Sequence, residues 1–115
     1  MAVKNMTPVK GVVNKITKFA FEAATAAADG FKFKLPRMSD EYVVLLVHNT
    51  ADTAYDFTIK KPTNGSYAAA AGDETYNLAA GEFAIFRFES ARWANNDGTM
   101  QFVPANAAVK AVVLY

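Results

Sequence analysis

The chain has 115 residues, with twelve Lys and Arg against eleven Asp and Glu; a formal charge of +1 supplies no long-range field to draw it onto nucleic acid or anionic lipid. A chain of this length is one domain's worth and buries roughly two thirds of the surface its unfolded form exposes. No Cys is present, which excludes disulfides, thiolate chemistry and Cys-based zinc sites; the 52% hydrophobic content includes many Ala, so the core must come from Val, Ile, Leu and the nine Phe.

Residues 1–18 interleave Lys4, Lys10, Lys15 and Lys18 with single apolar residues, which interrupts the unbroken apolar stretch a secretory signal needs. Residues 1–14 show neither helical nor strand period and carry Pro8 and Gly11. We read residues 1–16 as an N-terminal arm, flexible until something binds it, and residues 17–115 as the domain. The arm's Val3, Met6, Val9, Val12 and Val13 are its candidate contact residues.

Residues 12–28 support two readings. Ile16, Phe19, Ala20, Ala23, Ala24 and Ala27 fall at helical spacing, with Gly30 placed to cap a helix C-terminus. Thr17, Phe19, Phe21, Ala23 and Thr25 alternate at strand spacing, and Phe31, Phe33 and Leu35 continue that alternation with Lys32 and Lys34 facing out. We favour two strands.

From Tyr42 onward, strand-length apolar runs alternate with turn clusters. Residues 42–48 are continuously apolar up to His48, the mark of a central strand buried on both faces. That run is far shorter than the roughly 20 apolar residues a membrane-spanning helix requires, so we read the chain as soluble. Residues 55–59 alternate, and Pro62 stops them because it cannot donate to a ladder. Residues 66–71 are small and flanked by Asn64-Gly65 and Gly72-Asp73, a surface loop. Residues 75–78 and 83–88 read as a hairpin linked by Ala79-Ala-Gly-Glu82. Asn95-Asn-Asp-Gly98 is the strongest turn signal and leads into strands over 99–103 and 108–114. The fold class is therefore all-β: a single-domain β-sandwich, jelly-roll or Ig-like, of about seven or eight short strands.

Chemistry-bearing patterns are sparse. His48 is the single histidine and has a sufficient role as a strand-end residue bonded to backbone. The carboxylates sit mostly in turns, where Asp caps backbone groups. Asn95–Gly98 has the residue types of a calcium loop without the alternating ligand spacing and distal Glu. Trp93 beside Arg92, together with Tyr67, could form a contact surface, since such residues dominate interface energetics; more often such a Trp closes the end of a sandwich core. No glycine-rich phosphate cradle is present. We expect no catalytic residues, cofactor or metal.

Ala28-Asp-Gly-Phe-Lys-Phe33, Asp40-Glu-Tyr-Val-Val-Leu-Leu-Val-His-Asn-Thr50, Phe57-Thr-Ile-Lys60 and Leu78-Ala-Ala-Gly81 follow one another in order, as do Phe88-Glu-Ser-Ala-Arg92, Asp97-Gly98 and Val109-Lys-Ala-Val-Val-Leu114. This pattern, spanning roughly residues 17 to 115, resembles the small β-rich structural proteins of tailed bacteriophages and prophages, among them capsid decoration or cement proteins. The resemblance implies a non-enzymatic virion protein, made in a bacterial cytoplasm, that binds the major capsid protein or another virion protein as a homo-oligomer, a trimer being favoured. It supplies no residue-level binding motif. A sandwich-type carbohydrate- or protein-binding module using Tyr67, Tyr76 and Trp93 is the alternative, and a small hydrolase built on His48 a weaker one.

Overall fold

The computed structural model describes residues 3–36, 42–64 and 72–115. Eight strands alternate along these residues: β1 (Lys4–Met6), β2 (Phe31–Lys34), β3 (Val44–Asn49), β4 (Tyr55–Ile59), β5 (Glu74–Leu78), β6 (Phe83–Phe86), β7 (Thr99–Pro104) and β8 (Val109–Leu114). One helical turn, α1 (Ser90–Trp93), lies between β6 and β7. The strands form a five-stranded sheet in the order β1-β2-β7-β4-β5 and a three-stranded sheet in the order β6-β3-β8. The fold is an all-β sandwich of two sheets packed around one core.

Sequence alternation explains most of the larger sheet. In β2, Phe31 and Phe33 are buried while Lys32 and Lys34 turn outward. Their partners on β7, Phe102 and Met100, are buried on the same face, as are Phe57 and Ile59 on β4. Phe102 sits at the centre, with ring centroids 5.0 Å from Phe31 and 5.2 Å from Phe57. The opposite face carries Lys32, Gln101, Thr58, Asp56, Thr75 and Asn77, and is tied by hydrogen bonds between Thr58 and Thr75 (3.0 Å) and from Asn77 to Asp56 (3.0 Å). Such a face is suited to water.

Part of the arm lies in the sheet. β1 pairs in parallel with β2, and Met6 is only 5% exposed. Val9 then exchanges hydrogen bonds with the free side of β8: its N–H donates to Val113 O at 2.8 Å and its carbonyl accepts from Tyr115 N at 3.0 Å. Met6 and Val9 are thus held by the domain itself, a correction to a wholly flexible arm, because their backbone groups find ladder partners at hand. Deleting residues 1–11 should therefore lower the stability of the domain by roughly 2–5 kcal/mol, the cost of emptying a buried Met site with its strand. Chemical denaturation of the truncated chain checks this; an unchanged midpoint would show that the arm contributes nothing.

Residues 17–25 form neither the regular strand we favoured nor the helix. They run extended along the smaller sheet, touching the ladder at one bridge, Glu22 to Ala111, before a turn in which Asp29 N donates to Ala26 O. β5 and β6 are both strands, but they are not a hairpin. Each joins a different sheet, so residues 79–82 form an arch between the layers. The 66–71 loop lies outside the described residues apart from its base, where Asp73 accepts from Lys61 N at 2.8 Å and Lys60 Nζ at 2.9 Å.

Candidate interaction surface

β3 is central in the smaller sheet, as its unbroken apolar run predicts, but it is fully buried on one face alone, a correction to burial on both: Val44, Leu46 and His48 are half-buried. Leu45, Val47 and Asn49 face the core. Val44, Leu46 and His48 face outward, beside Phe83 and Ile85 of β6 and Lys110, Val112 and Leu114 of β8. Apart from His48 and Lys110 this outer face is entirely apolar, whereas the outer face of the larger sheet is polar apart from Val103.

The chain covers only part of that face. Phe21 lies edge-on to His48, with centroids 5.7 Å apart, and packs against Phe83 at 6.1 Å. Phe19 continues the row at 6.1 Å from Phe21 and, with Leu114 and Tyr115, lines a small depression of about 160 Å³. Under this cover Val112 is 1% exposed although its register places it outside the core. At the β6 side the cover stops. Phe83 is 65% exposed and Ile85 61%; Phe19, at 47%, is also open to water. Fully burying side chains of this kind stabilises a protein by roughly 1.5–3 kcal/mol each, so this edge is costly to leave wet.

His48 belongs to this surface. Its ring stacks on Phe83 with centroids 3.7 Å apart and planes 8° from parallel. Between the exposed side of β6 and β5 a cleft of about 390 Å³ opens, lined by Val47, Phe57, Tyr76, Leu78 and Phe86 among others. It is almost wholly apolar, and Tyr76, 45% exposed, presents its one phenol.

The residues singled out from sequence do not converge. Val12 and Val13 are exposed, at 51% and 85%, as is Ile16 at 93%. Val3 is half-buried and Met6 buried in the β1 region. Tyr67 lies outside the described residues. Trp93 is 6% exposed and packs edge-on to Phe86, with centroids 5.8 Å apart, while the Arg92 guanidinium covers its ring at 4.1 Å. Trp93 thus closes the core, the more common of its two readings, and is no contact surface: an indole between Phe86 and a guanidinium has no open face. Arg92 is oriented by Gly72 O at 3.2 Å and lies 3.8 Å from Glu74, so it serves the base of the 60–73 loop. Sequence reading missed Phe19, Phe21, Phe83 and Ile85. The available signal was that β3 and β6 are apolar at both parities, which one core face cannot absorb.

The Asn95–Gly98 segment is a turn. Asn95 N donates to Thr99 O at 2.8 Å, Gly98 adopts φ +82°, and Asn95 Oδ1 accepts from Thr63 N at 2.7 Å. Among the described residues no three His, Asp or Glu side chains gather into a group able to hold a metal ion. Asp97 Oδ1 accepts from Thr99 Oγ1 at 2.6 Å and Thr99 N at 3.0 Å, and these two bonds, the hydroxyl first, hold the carboxyl below its ordinary 3.8. A depressed carboxyl favours folding above its unfolded value, and that contribution disappears as pH falls through the folded one. An NMR titration should give Asp97 a midpoint below 3.8 that moves back up in Thr99→Val. An unmoved midpoint would rule out the Thr99 hydroxyl as the cause.

Fold and surface together define a class: a β-sandwich with one solvated sheet face, one partly uncovered apolar sheet face and an apolar inter-sheet cleft. Comparison with protein-family models, with curated proteins and with solved structures found no match. No helix among the described residues is long and apolar enough to cross a membrane.

Proposed function

We propose that the protein acts by association rather than catalysis, as a virion accessory protein that decorates or stabilises a phage capsid, with the outer face of the three-stranded sheet as its docking surface. The observation that supports association is the row Phe19, Phe21, His48, Phe83 and Ile85. Its outer members stand in water beside a face that is apolar but for His48 and Lys110. Exposed aromatic residues on a rigid sheet lose little entropy when a partner covers them, which makes such a row an efficient anchor. The virion context rests on the strand and turn pattern given above, and the partner it implies is the major capsid protein or another shell component.

The test is quantitative mass spectrometry of gradient-purified particles from the phage or induced lysogen that encodes the chain. Copies comparable in number to the major shell protein are expected, with binding weakened by Phe19→Ser. Absence from particles would end the virion reading. A binding module for sugars is the second reading, favoured by the cleft beside Tyr76. It requires saturable glycan binding that Tyr76→Ala abolishes.

A further inference from the structure

We propose that β6 is a dimerisation edge, along which a second copy of the chain adds its own β6 antiparallel to join two three-stranded sheets into one. The sandwich has four sheet edges, and three of them are managed in the ways proteins use against unwanted pairing. β1 is three residues long. β5 carries Glu74, Thr75 and Asn77, all exposed. The outer side of β8 is occupied by Val9 and Glu22, which hydrogen-bond to Val113 and Ala111. β6 reads Phe-Ala-Ile-Phe, with no charge, proline or bulge, and no described segment pairs with its second side.

The backbone of β6 is self-complementary. Asn49 N donates to Glu82 O at 3.0 Å, so Ala84 and Phe86, two and four residues on, also turn their N–H and C=O groups toward β3. Phe83 and Ile85 consequently aim theirs at the open edge. About a two-fold axis through Ala84, Phe83 of one copy stands opposite Ile85 of the other, and each such pair exchanges two ladder hydrogen bonds. Side-chain parity agrees, since Phe83 and Ile85 share the outer face and would form two aromatic–β-branched cross-strand pairs, a favourable combination. The small Ala84 side chains meet at the axis, where strands approach closest. A strand has one free edge here, and a symmetric pair consumes it, so the assembly closes at two copies rather than three.

This inference stands apart from the virion reading: a dimer that ignores particles would overturn that reading alone, and a monomer that coats them would overturn this one. Sedimentation velocity of the full chain should give twice the 12.5 kDa chain mass. Ile85→Pro removes an N–H aimed at the open edge while leaving the β3 ladder intact, and should give a monomer with unchanged far-UV circular dichroism. Ile85→Lys should do the same and serves if the proline variant misfolds. Because the chain has no Cys, Ala84→Cys tests the register: oxidation should give a covalent dimer on a non-reducing gel, and Lys34→Cys on the far sheet should not. A wild-type monomer at the highest soluble concentration, a three-chain mass, a dimer that survives both Ile85 variants, or no crosslink through residue 84 would overturn the proposal.

Discussion

Gly30→Ala should destabilise the protein by roughly 2–5 kcal/mol, a large share of the roughly 5–15 kcal/mol typical of a domain. Gly30 links the turn at residues 26–29 to β2 with φ +68°. It lies against β7 so closely that a Cβ would strike the Phe102 carbonyl oxygen and stand 2.9 Å from Val103 Cγ2 and 3.0 Å from Val103 Cα. Those neighbours belong to the central strand of the larger sheet, and backbone there cannot withdraw without breaking its pairing with β2 and β4. Two penalties therefore add. The left-handed conformation costs a non-glycine residue roughly 1–2 kcal/mol, and the rest is overlap. Gly81 separates them, since it has φ +73° and nothing within 4 Å of its Cβ position, so Gly81→Ala should pay the first penalty alone. Urea denaturation of the two variants side by side is the measurement. Equal losses would show that β7 yields and that close approach is not the reason for glycine at position 30.

Asn49→Leu should cost roughly 3–5 kcal/mol despite being nearly isosteric and more apolar, because it strands several backbone groups at roughly 1–3 kcal/mol each. Asn49 is wholly buried at the end of β3. Its Nδ2 donates to Thr53 O at 2.9 Å, Leu78 O at 3.1 Å and Ala79 O at 3.2 Å, and its Oδ1 accepts from Ala51 N at 3.0 Å. The side chain thus fastens the β3–β4 turn and the β5–β6 arch to each other, two of the connections that cross between the sheets. Asn49→Asp is the sharper variant. It keeps the acceptor but points a carboxylate at three carbonyl oxygens, which raises the carboxyl pKa above its unfolded value. With the folded value raised, the variant is most stable below the unfolded pKa and weakens as pH rises through the folded one. Thermal unfolding of Asn49→Asp from pH 3 upward should show that trend, and a flat profile would mean that the amide donor is dispensable.

Much of the fold was legible because strand residues report their own faces. Phe-Lys-Phe-Lys in β2 and Tyr-Asp-Phe-Thr-Ile in β4 place large apolar groups at every second position, and both form as their alternation requires. Asn95–Gly98 and Pro62 mark a turn and a strand end through their own backbone preferences. The candidate surface was less legible. Phe83 and Ile85 alternate with apolar Ala84 and Phe86 rather than with Lys as Phe31 and Phe33 do, so β6 does not report its own faces; its sheet's other layer, lying on the side of Ala84 and Phe86, makes Phe83 and Ile85 outward. Met6 was misjudged for the converse reason, since the groups that cover it come from distant parts of the chain, and for the same reason the sequence left Trp93 open between core and contact.

What the sequence by itself determined is the all-β class, most strand positions, the turns and the absence of thiol chemistry, because each follows from interactions within a few residues. The tertiary structure alone decided that β5 and β6 part into different sheets, that residues 4–11 are drawn into both, and that an apolar sheet face stays partly uncovered at β6. Those outcomes depend on which distant strands compete for each backbone edge, and a strand's own side chains carry little record of that competition.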